Sequence, residues 1–273
     1  MIGNMNQKPH ILLTNDDGIR SPGLWAAASA LSELGYVTVT APREQSSGMG
    51  RSLPSTSTGI IQEEQMEVNG QTWRVYAVGG SPAQTVLHGI LDVLKEKPDL
   101  VVSGINYGEN VASGVTISGT VGAAMEAASL GIPAMAVSLE ADARYHLSYS
   151  DEVDFSVAAD FAVRIAHILL ERKMLRDVQL LKVDVPSDAT KDTPWQLTRV
   201  SRQRYYEPVA VERASWNDPG TIGYREAATL TSEPQVTDVY VLRTKRWVSV
   251  SPMSLDLSSR VDLSLLDQMM RKP

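Results

Sequence analysis

The 273-residue chain contains no cysteine. That absence removes disulfides, thiolate zinc sites, iron–sulfur clusters and any cysteine nucleophile at once, and it is compatible with a reducing cytoplasm. Histidine is scarce: His10, His88, His146 and His167 are the only four, and none pairs as HxxxH or HExxH. No run approaches the roughly 20 apolar residues of a membrane span. The polar stretch from Met1 to His10 lacks the apolar centre of a signal peptide. A cytoplasmic protein with no membrane partner is expected. Positive charge is in deficit, 25 Lys+Arg against 32 Asp+Glu, a net −7. This argues against a duplex nucleic-acid partner, which needs basic phosphate-facing surface. Small anionic substrates stay open, because a metal ion or a helix end reverses the sign locally. A Gly-x-Ser-x-Gly elbow, a P-loop and a GxGxxG turn are all missing.

What is present reads as α/β. Hydrophobic residues make up 43% and charged residues 21%, ordinary for a globular chain with a proper core. Short apolar runs predict strands at 11–14, 36–40, 75–78, 99–103, 134–138 and 180–185. Helical spacing predicts helices over 23–34, 82–95, 120–130 and 155–172. Continuous apolar strands separated by helices imply a parallel sheet covered on both faces. Ligands of such sheets sit beyond the carboxyl ends of the strands, where the strand order reverses. From about Lys191 the texture changes. Stretches 195–211 and 236–250 read as β-like around a polar Gly/Pro segment at 215–221, and 262–270 suits a short helix. The division expected is a core over 9–190 and a β-hairpin-rich extension over 191–273.

Four segments carry candidate chemistry. Thr14-Asn15-Asp16-Asp17-Gly18 follows the first strand, and two adjacent carboxylates gain from burial only when a cation neutralises them. A hard divalent ion does so; the same residues also suit an Asx-type turn. In the loop from Ala41 to Gly48, Ser47 offers a neutral oxygen and Gly48 lets a phosphate approach the backbone. Ser103-Gly104-Ile105-Asn106 ends another strand, and the Asn106 amide oxygen would complete an all-oxygen site, although Asn in a Gly-rich loop equally serves a left-handed turn. Ser118-Gly119-Thr120-Val121-Gly122 opens a helix whose free N–H groups can bind an anion; the alternative is a well-capped helix with a small packing face. Together, three strand ends with oxygen donors and one helix start point to metal-assisted phosphoryl chemistry.

These segments, in this order, resemble the stationary-phase survival protein (SurE) family. Val183-Asp184-Val185-Pro186, Val236-Thr237-Asp238 and Val248-Ser249-Val250-Ser251-Pro252 resemble its later segments, so the likeness runs over nearly the whole chain. The resemblance implies a Rossmann-like core and a metal-dependent 5′/3′-nucleotidase acting on nucleoside monophosphates. It implies one divalent ion per subunit, Mg²⁺ or Mn²⁺, held by Asp16, Asp17, Ser47 and Asn106. Asp16 or Asp17 would serve catalysis, while Asn15, Gly48, Asn110, Ser118, Gly119 and Thr120 would hold the phosphate and substrate. It further implies a homodimer or homotetramer built through an exchanged C-terminal segment. Three positions depart from the family pattern: Arg51, Gln84 and Ile117. Arg51 and Ile117 are expected near the pocket and bear on substrate preference. Trp195, Tyr205 and Tyr206 with Arg199, Arg202 and Arg204 read as an aromatic and basic cluster, either a base- or polyphosphate-binding face or a hairpin or subunit contact. Rival readings are a broader phosphomonoesterase or exopolyphosphatase, and a nucleotide sensor that binds without hydrolysis.

Overall fold

The computed structural model describes residues 8–146, 148–227 and 234–271. β1 (His10–Thr14) sends Ile11 and Leu13 to one face and Leu12 to the other, all fully buried. It lies between β2 (Tyr36–Pro42) and β5 (Leu100–Tyr107), parallel to both, with Thr14 level with Ser103. β6 (Ala134–Leu139) and β7 (Leu180–Val185) continue the parallel array beyond β5. On the other side stands β4 (Gln71–Val78), parallel to β2, with β3 (Ile61–Val68) antiparallel at the edge.

Helices cover both faces, as the apolar strands require. α1 (Pro22–Leu31) and α4 (Ser156–Glu171) bury Leu24, Trp25, Leu31, Phe161 and Ile165 on the Ile11/Leu13 face. α2 (Pro82–His88) and α3 (Gly119–Ser129) bury Val86, Val121 and Ala124 on the Leu12 face. Capping fixes both starts. Ser81 and Gln84 form a reciprocal capping box at α2, and the Ser118 hydroxyl accepts from the Val121 N–H at α3.

The chain builds β1, β2 and β4 in one direction, then returns to place β5, β6 and β7 in the other. The order reverses between β1 and β5, so their carboxyl ends frame the crevice in which this architecture binds ligands.

Past residue 190 the chain extends the same sheet. β11 (Val248–Met253) pairs antiparallel with β7, and β8 (Trp195–Leu197) pairs parallel with β11, giving nine strands. β9 (Tyr206–Val209) and β10 (Gly223–Glu226) form a separate antiparallel pair. The expected strand over 236–250 is corrected. α5 (Asp238–Tyr240) runs into widened π-type turns over Val241–Lys245, and only Val248 onward is extended. The Thr237 hydroxyl caps this helix, whose spacing buries Val239 and Leu242 beside Tyr205. The helix expected over 82–95 likewise widens, at Gly89–Leu94. The β3–β4 hairpin went unread: its Glu- and Gln-rich outer strand looks helix-prone, while Asn69 and Gly70, both at positive φ, make the tight turn. α6 (Leu263–Arg271) matches the short helix expected and buries no side chain among the described residues.

Candidate functional site

At the crevice the chain leaves β1 in a turn that Asn15 closes with itself. Its carboxamide donates to the Gly18 carbonyl at 3.0 Å and accepts from the Gly18 N–H at 3.1 Å. Asn15 thus closes the turn, an Asx-type role. What the turn does is aim two buried carboxylates inward.

Asp16 packs against the start of α3. The Thr120 hydroxyl donates to Asp16 Oδ1 at 2.5 Å, and a Cβ at position 119 would meet Asp16 Oδ2 at 2.8 Å. Glycine there is what permits the approach. Burial raises the Asp16 pKa, while the Thr120 hydroxyl and the N–H groups of Thr120 and Gly119 work against that rise. Gly119 and Thr120 thus serve Asp16, and Ser118 caps its own helix. The three residues expected to cradle a phosphate stand at the same helix start that positions this carboxylate. The attraction of a helix start for negative charge is used, but on the protein's own group.

Asp17 Oδ2 accepts from the Tyr107 N–H at 3.3 Å, which joins the ends of β1 and β5. Burial and then the Asp16 charge push its pKa well above the ordinary carboxylate range. Next to Tyr107, the Asn106 amide nitrogen donates to the Tyr107 and Gly108 carbonyls at 3.1 and 2.7 Å. No described donor reaches its oxygen. Gln45, from the loop after β2, gathers the remaining groups: its amide nitrogen approaches Asp17 Oδ1 at 3.4 Å, Ser47 Oγ at 3.2 Å and the His146 carbonyl at 2.7 Å. An N–H donor bridging a carboxylate and a hydroxyl sits where positive charge is wanted.

These residues fit a hard divalent ion. Two adjacent carboxylates, buried and with no cationic side chain in contact among the described residues, gain from an external positive charge. Ser47 and Asn106 add neutral oxygens of the kind Mg²⁺ and Mn²⁺ accept. No three of His, Cys, Asp and Glu come together among the described residues, so such an ion would depend on the two aspartates and those neutral oxygens. Gly48, at φ +77°, has nothing within 4 Å of a would-be Cβ, an open approach to the backbone. Asn110 stands further back, its amide nitrogen donating to Ser138 Oγ at 2.8 Å.

Other expected residues resolve differently. Arg51 pairs with buried Glu126 at 2.6 Å. The Gly50 N–H donates to the Ile117 carbonyl at 2.9 Å, and Ile117 is exposed beside that loop. Gln84, the third departure, caps α2. The aromatic and basic cluster disperses: Trp195 lies on edge strand β8, Arg199 and Arg202 line a groove with Arg260, and Tyr205 is buried beside Ala112. Missed by sequence reasoning were Gln45, Tyr149, whose hydroxyl donates to the Asp17 carbonyl at 3.0 Å, and Glu109. Gln45 lay inside the loop already singled out. Nothing local marked the other two.

Fold and site together define a Rossmann-like α/β protein with an acidic oxygen-donor site at the point where strand order reverses. The sequence matches the profile of the family described as Survival protein SurE over residues 11–207. A 5′-nucleotidase SurE of Thermococcus gammatolerans is 45% identical over 258 residues, covering 94% of each chain. One of Methanosarcina mazei is 38% identical over 268 residues, covering 95% of this chain and 97% of its own. The crystal structure of the SurE protein from Aquifex aeolicus superposes with a TM-score of 0.75 at 30% identity, covering 96% of this chain and 100% of that one. The chain belongs to the SurE family.

Proposed function

We propose that the protein is a divalent-metal-dependent nucleotidase that hydrolyses nucleoside 5′- and 3′-monophosphates to nucleoside and orthophosphate. The observation that carries this is the Asp16–Asp17 pair, buried at the strand-order reversal with oxygen donors around it and, among the described residues, no cationic side chain in contact. The name shared by the curated relatives supports the nucleotide as substrate. Asp16, Asp17, Ser47 and Asn106 would hold Mg²⁺ or Mn²⁺, one per subunit. Bound there, the ion would supply Lewis-acid charge to the phosphoryl group and to water.

The chain's own residues do the rest. Thr120 and the start of α3 fix Asp16 and oppose the rise that burial gives its pKa, and the Tyr107 N–H and Gln45 orient Asp17. Asp17 accepts the proton of the attacking water as its oxygen bonds to phosphorus and the ester P–O bond breaks, the proton finally going to the departing nucleoside oxygen. Gly48 leaves its backbone open to the phosphate. Residues 191–273 would join subunits as a homodimer or homotetramer; exposed Leu263, Leu266, Met269 and Met270 on α6 support this. Asp17→Asn with 5′-AMP and Mn²⁺ tests the central assignment. Phosphate release is expected to fall by about a hundredfold or more, and near wild-type turnover would refute it.

A further inference from the structure

Lys182, Asp184 and Asp238 are fully buried and meet at one ammonium. Lys182 Nζ contacts Asp184 Oδ2 and, at 3.2 Å, Asp238 Oδ2. Two carboxylates sharing one cation leave oxygens that need further donors. Asp184 Oδ1 accepts from the Asn110 N–H at 2.9 Å, and Asp238 Oδ2 from the Ala112 N–H at 3.1 Å. Asp238 Oδ1 takes the N–H groups of Ser201 and Val239, each at 2.9 Å. Both bonds to the core therefore land on alternate residues of one loop, the one that connects Asn106 with Ser118. Ala112 stands there at φ +55°, a left-handed conformation that a residue with a Cβ avoids unless held. The holding group comes from α5, beyond the core.

We infer that Asp238 is a positioning residue: it keeps Ala112 left-handed and, through Lys182 and Asp184, fixes the backbone at Asn110, so the C-terminal segment sets the geometry of the loop between Asn106 and Ser118. This rests on the nucleotidase reading for its effect on the reaction, but not for its effect on the loop.

Hydrogen exchange reads the loop with no substrate present. In the wild-type protein the Asn110 and Ala112 amides are expected to be protected as strongly as those of β7; exchange at the rate of exposed loops overturns the inference without any variant. Asp238→Asn is expected to speed exchange at both amides at least tenfold while leaving β1 unchanged, and to raise KM for 5′-AMP with Mn²⁺ at least fivefold per folded molecule. Ala112→Gly added to Asp238→Asn is expected to return KM to within about twofold of wild type, because glycine adopts positive φ freely. A folded Asp238→Asn protein with unchanged exchange and KM overturns the inference, as does a raised KM that Ala112→Gly fails to lower. Absence of phosphate release from the wild type would sink the nucleotidase reading alone, since the exchange results stand apart from it.

Discussion

Two pairs of buried aspartates lie in this molecule, and they differ in one respect. Asp184 and Asp238 enclose Lys182, whereas among the described residues Asp16 and Asp17 enclose no cationic side chain. Burial works against the Lys182 charge, yet the two carboxylates beside it hold its pKa above the usual lysine value. That pair shares one cation, although burial still raises the Asp184 pKa, and it gives its spare oxygens to backbone N–H groups. The other has hydroxyl, amide and N–H donors but no formal positive charge. The same chemistry thus builds a clasp where the fold supplies a cation and an open site where it does not.

Removing the internal cation should break the contrast most severely. Lys182→Met leaves two buried carboxylates uncompensated, and a loss of roughly 3–5 kcal/mol is expected in urea unfolding. A loss below about 1 kcal/mol would mean that the closed pair does not need its lysine.

Glu109 sharpens the comparison as a buried carboxyl of a third kind. One of its oxygens has no hydrogen-bond partner, and Arg243 approaches the group only to 3.9 Å. Burial foremost, helped by the charges of Glu140 and Glu226 and opposed by the Tyr205 hydroxyl, lifts its pKa from 4.5 to about 7. The folded state then holds this proton more tightly than the unfolded chain, so stability falls as pH rises between those values. Glu109→Gln is expected to match wild type below about pH 4 and to exceed it by about 3 kcal/mol at pH 8. A gap that stays constant with pH would place the proton elsewhere.

The smallest effect concerns the open pair itself. Mn²⁺ at a hundred times its dissociation constant should stabilise the protein by about 2.7 kcal/mol, read as a rise in melting temperature, and Asp17→Asn should abolish that rise. A rise that persists in the variant would move the ion to another site.

How much of this was legible depended on distance along the chain. Asp16-Asp17-Gly18 after an apolar run displays its own repulsion, and Asn106 at a strand end carries its role in its position. The strands and helices of the core follow from apolar spacing, and β7 falls where the spacing put it. The contact of Gly119 and Thr120 with Asp16 emerges only when β1 and α3 are brought together. Lys182, sitting in an apolar strand, and Asp238, opening what looked like a β-stretch, acquire meaning only through each other. The 238–245 segment misled because Val, Tyr, Val and Leu suit strands, whereas burial against Tyr205 selects one helical side.

β11 inserts between β7 and edge strand β8, so an interior position in the sheet is filled by residues synthesised well after the core beside it. Until they arrive, β7 presents a bare edge, open to pairing with other chains, and the segment from Asn106 to Ser118 has no Asp238 to lean on. The crevice is therefore completed by the last part of the chain to be made.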